Sequence, residues 1–244
     1  MKEKRIRLIA FDMDGTVLND EKKILKETKE ALEQARAGIE IVPATGRPFC
    51  GISDEIYRLD GVRYVLTTNG AGIYERDSKT CLYEDAIPLS SYLSMLAEVE
   101  AYDVMADTFL KGGALMTKRK RDLLPRMRLT KEIRDYILSS RQVVESQGDY
   151  LRERGEDVEK LTINFAYDEN GHRIDYDAVW EVLKKYPGVN AVSGGMKNIE
   201  VTKKGVSKAS GLLYLGKKLG IAPEEMMVFG DSGNDLDMIK MAGI

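Results

Sequence analysis

This chain of 244 residues has only two cysteines, one histidine and one tryptophan. Cys50 and Cys81 lie far apart and form no C-x-x-C pair, which argues against a thiolate zinc site and suits a reducing, cytoplasmic setting. His172 sits in an NGHR turn and reads as a surface residue, while Trp180, among Val179, Val182 and Leu183, reads as core. No run of about 18 apolar residues occurs, so no membrane-spanning helix is expected. The apolar LIAF near the basic N-terminus is cut by Asp12, too early for a signal-peptide core. Lys plus Arg number 37 against 40 Asp plus Glu, a net charge of -3, so no global positive excess favours nucleic acid or an anionic membrane. A disordered chain is excluded as well, because there is little charge imbalance and only 6 prolines.

What is present is ample apolar material. Hydrophobic residues make up 43% of the chain, enough for a sizeable core. Three apolar runs end in turns: Ile6 to Phe11 at DMDGT, Ile39 to Ala44 at TGRP, and Met226 to Phe229 at GDSGND. A fourth, Arg63 to Leu66, runs into TTNGAG. A helix from about Leu25 to Ala37, with Ala31, Leu32 and Ala35 inward and Gly38 as its stop, joins the first two. Strand, helix and strand in that order make a βαβ unit, so the first segment is expected to form a parallel, doubly wound α/β sheet.

From about residue 85 to 201 short strands alternate with helices, as in an α+β module. Lys160 to Tyr167 is expected to be a strand, Tyr176 to Tyr186 a helix, and Val189 to Val192 with Asn198 to Thr202 a closing strand pair. This places residues 85–201 as an insertion between two parts of one domain, 1–84 and 202–244. Ser207 then caps a helix with Leu212, Leu213, Leu215 and Leu219 inside and Gly220 at its end.

Open parallel sheets bind ligands beyond the carboxyl ends of their strands, where the distinctive residues of this chain fall. Asp12 and Asp14, at i and i+2 after the first strand, send two carboxylates to one side and repel each other unless a cation is bound. Asp231 and Asp235 follow another strand. Hard oxygen ligands without histidine or cysteine are what Mg²⁺ prefers. Thr45 and Gly46 offer a hydroxyl and an unhindered backbone N–H to phosphate oxygens. Lys208 lies in the first turn of its helix, where the macrodipole disfavours a cation, so a nearby anion is expected. One carboxylate to attack, one to move a proton, one to hold a metal, and donors for a phosphoryl group together describe phosphomonoester hydrolysis. The basic run from Lys118 to Arg134 has no interleaved aromatics and is expected to be a solvated helix face.

FDMDGTVL, ATGR, KKGVSKASGL and FGDSGNDLDM, in that order, resemble the four signatures of the haloacid dehalogenase superfamily. The insertion between the second and third resembles the type IIB cap of its Cof-type sugar-phosphatase branch. The resemblance implies a Rossmann-like core with an inserted α+β cap that chooses the substrate. Asp12 would be the nucleophile that forms an aspartyl-phosphate, and Asp14 the general acid and base. Mg²⁺ would be held by Asp12, the Asp14 backbone carbonyl and Asp231. Thr45, Gly46, Lys208 and Asn234 would bind the phosphoryl group, and Asp235 would orient the lysine or the metal loop. The family pattern continues past MAGI with another strand and helix, so an exposed sheet edge is expected at this end of the chain. The expected activity is hydrolysis of small phosphorylated metabolites by a monomer or weak homodimer, with sugar, flavin-pathway and pyridoxal phosphates all open as substrates. A phosphomutase of the same superfamily, or a catalytically weak phosphometabolite-binding protein, stands as the alternative.

Overall fold

In the computed structural model, which describes residues 5–19, 21–194 and 197–244, the chain divides into two compact units, residues 1–85 with 205–244 and residues 86–204. The elements of the first are β1 (Leu8–Phe11), α1 (Lys26–Ala35), β2 (Glu40–Pro43), α2 (Asp54–Tyr57), β3 (Tyr64–Thr67), β4 (Gly72–Glu75) and β5 (Cys81–Glu84). The second holds α3 (Leu89–Val99), β6 (Val104–Leu110), β7 (Gly113–Thr117), α4 (Lys118–Arg121), α5 (Lys131–Ser140), β8 (Gln142–Val144), α6 (Gln147–Arg154), β9 (Lys160–Phe165), α7 (Tyr176–Lys184), β10 (Val189–Ser193) and β11 (Ile199–Lys203). The chain then returns to the first unit with α8 (Lys208–Leu219), β12 (Met226–Phe229) and α9 (Leu236–Met241).

The apolar run LIAF makes β1 the centre of a parallel sheet in the order β12-β1-β2, with Leu8 level with both Met226 and Glu40. All four of its residues are buried, as expected of a strand covered on both faces. Alternation then sorts the core. Leu8 and Ala10 pack with Leu212, Leu215, Met226 and Met238, while Ile9 and Phe11 pack with Leu32, Ile41, Ile56 and Val65 on the other face. Parallel bridges from Ile41 to Val62 and from Ala44 to Leu66 tie β3 beside β2. From β3 the chain turns back through β4 and β5 as an antiparallel meander, an extension that the alternation of the sequence did not announce.

The second unit is a six-stranded sheet in the order β10-β11-β9-β6-β7-β8, antiparallel except for the β7 and β8 pair. One face carries Val104, Ala106, Leu161, Ile163 and Val201 and packs on residues of α3, α6 and α7, with Trp180 partly buried against the cluster. On the other face Met105 and Met116 pack with Ile137 of α5. Beside them the buried Asp107 pairs with Arg141 at 3.1 Å and Lys160 with Glu200 at 3.0 Å.

Three expectations need correction. Ala31 is exposed and Ala35 only partly buried, so Leu32 alone anchors α1 fully. Leu213 is 43% exposed, because Leu212, Leu215 and Gly216 already fill the inward stripe of α8. Lys120 is 3% exposed rather than solvated: its ammonium donates to the Tyr102 carbonyl at 2.9 Å, and burial, then Arg119 beside it, pull its pKa down. His172 is on the surface. On the outer side of β12, Val228 donates to the Ile244 carbonyl and Ile244 to that of Met226, while Phe229 remains 48% exposed. Cys50 and Cys81 are exposed and form no disulfide. Among the described residues no helix is long and apolar enough to cross a membrane.

Candidate active site

Three loops meet beyond the carboxyl ends of β1, β2 and β12. The Asp12 N–H donates to the Phe229 carbonyl at 2.9 Å, so the β1–β12 ladder runs on into the first aspartate and fixes its direction. Asp12 is 6% exposed, and its Oδ1 accepts from Lys208 Nζ at 2.6 Å. The same ammonium donates to Asp235 Oδ1, also at 2.6 Å, and both Lys208 and Asp235 are fully buried. Lys208 stands at the first position of α8 because Ser207 caps that helix, its side chain accepting from Ser210 N–H while the Ser210 hydroxyl answers the Ser207 N–H. The anion that a cation requires at a helix N-terminus is here a pair of carboxylates. Burial raises the Asp12 pKa, with Lys208 opposing it.

Asp235 Oδ2 accepts from the backbone N–H groups of Asp231 and Ser232 at 3.1 and 3.0 Å. It therefore shapes the loop as well as holding the lysine. Gly230 makes this possible, since a Cβ there would lie 2.4 Å from that of Asp235. Asp231 is exposed and lies against Gly15, whose φ of +85° and lack of a side chain admit it: a Cβ at Gly15 would sit 2.5 Å from Asp231 Oδ2. Asp12, Asp231 and Asp235 each bring a carboxylate oxygen within 4.8 Å of the others.

Asp14 is clamped. Arg47 donates to it through Nε at 2.8 Å and Nη2 at 2.7 Å, a two-pronged guanidinium contact, and Lys22 adds a third bond at 2.9 Å. Burial acts to raise the Asp14 pKa, but Arg47 and Lys22 outweigh it and hold the carboxyl below its usual value. Thr45 is buried, and its hydroxyl accepts from Arg47 N–H at 3.2 Å, so it closes a turn rather than capping the helical turn after it. Gly46 beside it is partly buried. The Thr45 carbonyl accepts from Asn69 N–H at 3.0 Å, and Asn69 Oδ1 accepts from Asn234 Nδ2 at 3.0 Å, linking the loops after β2, β3 and β12.

Reading the sequence missed four contributors. Arg47 lies inside the ATGR signature, and Asn69 inside TTNGAG, so a signal existed for both. Thr16, whose hydroxyl donates to Asp231 Oδ1 at 3.3 Å, lies within FDMDGT. Lys22 lies in an irregular loop with no pattern to mark it.

The family model for haloacid dehalogenase-like hydrolases matches residues 9–244. The chain belongs to that family. It is 29% identical over 244 residues to the 5-amino-6-(5-phospho-D-ribitylamino)uracil phosphatase YcsE of Bacillus subtilis, covering 98% of this chain and 82% of the relative. It is 28% identical to the phosphatase YwpJ of the same organism, covering 98% and 87%. Among solved structures, the subclass IIB sugar phosphatase BT4131 superposes with a TM-score of 0.74 at 26% identity, over 98% of this chain and 85% of the other. The Rossmann-like core with its inserted α+β unit is thus the fold of this family.

Proposed function

We propose that the protein is a Mg²⁺-dependent phosphatase that hydrolyses small phosphorylated metabolites through an aspartyl-phosphate on Asp12. The observation that carries this reading is the buried Lys208 held between Asp12 and Asp235, at the meeting point of loops that also carry Asp14, Thr45 and Asn234. The donor set suits Mg²⁺, since Asp12 and Asp231 offer hard carboxylate oxygens and no histidine or cysteine stands with them. The Asp14 backbone carbonyl completes the proposed ligand set. When bound, the metal neutralises charge on the phosphoryl oxygens and on the acidic cluster.

The chain's own residues divide the remaining work. An Asp12 carboxylate oxygen attacks phosphorus and the ester P–O bond breaks, while Asp14 gives its proton to the departing oxygen. Water then attacks the phosphorus of the aspartyl-phosphate, Asp14 takes a proton from it, and the bond to Asp12 breaks to release inorganic phosphate. At rest Asp14 is ionised by its two cationic partners. An arriving phosphate dianion competes for Arg47 and Lys22, which raises the Asp14 pKa toward the acid form that the first step needs. Lys208, the Thr45 hydroxyl, the Gly46 N–H and the Asn234 amide carry the phosphoryl charge. Asp235 positions the lysine.

Phosphate esters of sugars and related polyhydroxy alcohols are the substrate class we favour, because the named activities of YcsE and BT4131 fall there. A cytoplasmic monomer or weak homodimer completes the proposal. The test is release of inorganic phosphate from an aryl phosphate and from a panel of sugar phosphates with Mg²⁺ present. Asp12→Asn is expected to lose activity at least 10³-fold, a loss typical of removing a nucleophile. Full activity in that variant overturns the assignment.

A further inference from the structure

The first unit has a second concavity, at the opposite ends of the same strands. A shallow cavity of about 630 Å³, open to solvent, is lined by Arg7, Arg36, Arg63 and Arg76, with Glu40 and Asp77 as the acidic residues of its wall. Arg7 immediately precedes β1 and Arg63 immediately precedes β3, Glu40 opens β2, Arg36 ends α1, and Arg76 follows β4. From Arg7 to Asp12 the chain climbs the whole of β1, on the order of 16 Å at the usual rise of a strand. The cavity is therefore separate from the cluster around Lys208.

Four guanidinium groups from four separate segments repel one another unless anions answer them. The protein answers each charge with one carboxylate, Glu225, Asp60, Glu40 and Asp77, but leaves hydrogen-bond donors over. Arg7 Nη1 donates to the Gly220 carbonyl at 2.7 Å and reaches Glu225 at 3.3 Å; Arg36 Nη1 pairs with Asp60 at 2.8 Å; Arg63 Nη2 pairs with Glu40 at 2.9 Å. Among the described residues each of these three arginines commits a single nitrogen to a hydrogen bond or ion pair, with the Arg63 guanidinium also lying 4.5 Å over the Tyr64 ring, whereas a guanidinium carries five N–H donors on three nitrogens. Arg76 commits all three, to Asp77 and to the Tyr57 and Leu59 carbonyls, and acts as a fixed wall. The preference of cations for helix C-termini accounts for Arg36 and for Arg7 at the end of α8, but not for Arg63 or Arg76 beside strands. Gly38 and Gly61, at φ +105° and +87°, keep the wall bare: a Cβ at Gly61 would lie 2.9 Å from that of Arg36.

We propose that this cavity is a second ligand site, which takes an organic polyanion of metabolite size through its phosphoryl or carboxylate groups. The volume lies in the range of small-molecule sites and well above that of a bare phosphate ion. Planar guanidinium forks match phosphoryl and carboxylate oxygens alike. Arg36 and Arg63, both about half exposed, provide the unfilled donors, and Arg7 closes the site at the start of β1.

Calorimetric titration of the full chain with ADP and with citrate, at low ionic strength, tests this. At least one probe is expected to bind the wild type, and Arg36→Gln/Arg63→Gln is expected to weaken that binding tenfold or more. Hydrolysis of an aryl phosphate by the double variant should stay within twofold of the wild type, which separates this site from the proposed catalytic one. Binding of ADP alone assigns phosphoryl recognition, and binding of citrate alone assigns carboxylate recognition. Should the double variant unfold, Arg63→Gln alone gives the same comparison. Binding of neither probe, or equal binding by folded variant and wild type, overturns the proposal.

Discussion

Lys208 Nζ donates to Asp12 Oδ1 at 2.6 Å across 196 positions of sequence, inside a site from which the lysine is wholly shielded from water. Removing the ammonium leaves two buried carboxylates facing one another. Lys208→Met is expected to lower kcat/KM at least 10²- to 10³-fold, the scale on which a single donor to a developing negative charge acts. Urea unfolding should show a loss of about 3–5 kcal/mol for the uncompensated carboxylates. Activity within tenfold of the wild type would remove the lysine from the reaction.

Arg47 and Asp14 predict a pH signature. Asp14 titrates below its ordinary 3.8 in the folded protein. A carboxyl whose folded pKa is depressed binds fewer protons folded than unfolded, so its contribution is complete above the ordinary value and vanishes as pH falls through the folded one. The pH-dependent part of the stability gap between wild type and Arg47→Ala should be about 1 kcal/mol near neutrality, a value discounted for solvent at a pair more than a third exposed on one side. It should begin to close from about pH 4 downward. Urea midpoints at pH 7, 5 and 3 check this, and a gap that stays constant to pH 3 contradicts it.

Among the described residues, Asp231 is the proposed metal ligand whose carboxylate has no strong internal partner beyond the Thr16 hydroxyl. Chelation with EDTA is expected to abolish phosphate release, and added Mg²⁺ to restore it. Asp231→Asn should raise the Mg²⁺ concentration for half-maximal activity tenfold or more while leaving the melting temperature within a few degrees. An unchanged Mg²⁺ dependence would move the metal elsewhere.

Asp107 and Arg141 form a buried pair in the second unit, 0% and 5% exposed in their side chains. Asp107→Ala leaves the guanidinium buried without its carboxylate and is expected to cost about 3–5 kcal/mol by urea unfolding. Replacing both, as Asp107→Leu/Arg141→Met, should recover most of that loss, because neither charge is then desolvated. A double variant no more stable than the single one would show that other contacts of Arg141, such as its stacking on Phe109 and Tyr136, carry the effect.

Much of the fold was legible because it is written in local terms. The LIAF run, the Ser207 cap and the Gly220 stop are each decided within a few residues, by burial on both faces, by a hydroxyl that answers orphan N–H groups, and by a φ of +67° that glycine accepts. The β4–β5 meander was not legible, since a short strand next to a turn carries no signal of which edge it will join.

The site divides along the same line. By itself the sequence determined which residues stand at the carboxyl ends of β1, β2 and β12, because strand ends and turns are local features. Only the tertiary structure decided that Asp235 holds both Lys208 and the Asp231 loop, that Arg47 and Lys22 clamp Asp14, and that Asn69 joins Thr45 to Asn234. The physical reason is that hydrogen-bond partners are chosen by proximity in space. A carboxylate and a cation far apart in sequence become partners only when the sheet brings their loops together and excludes the water that would otherwise screen them.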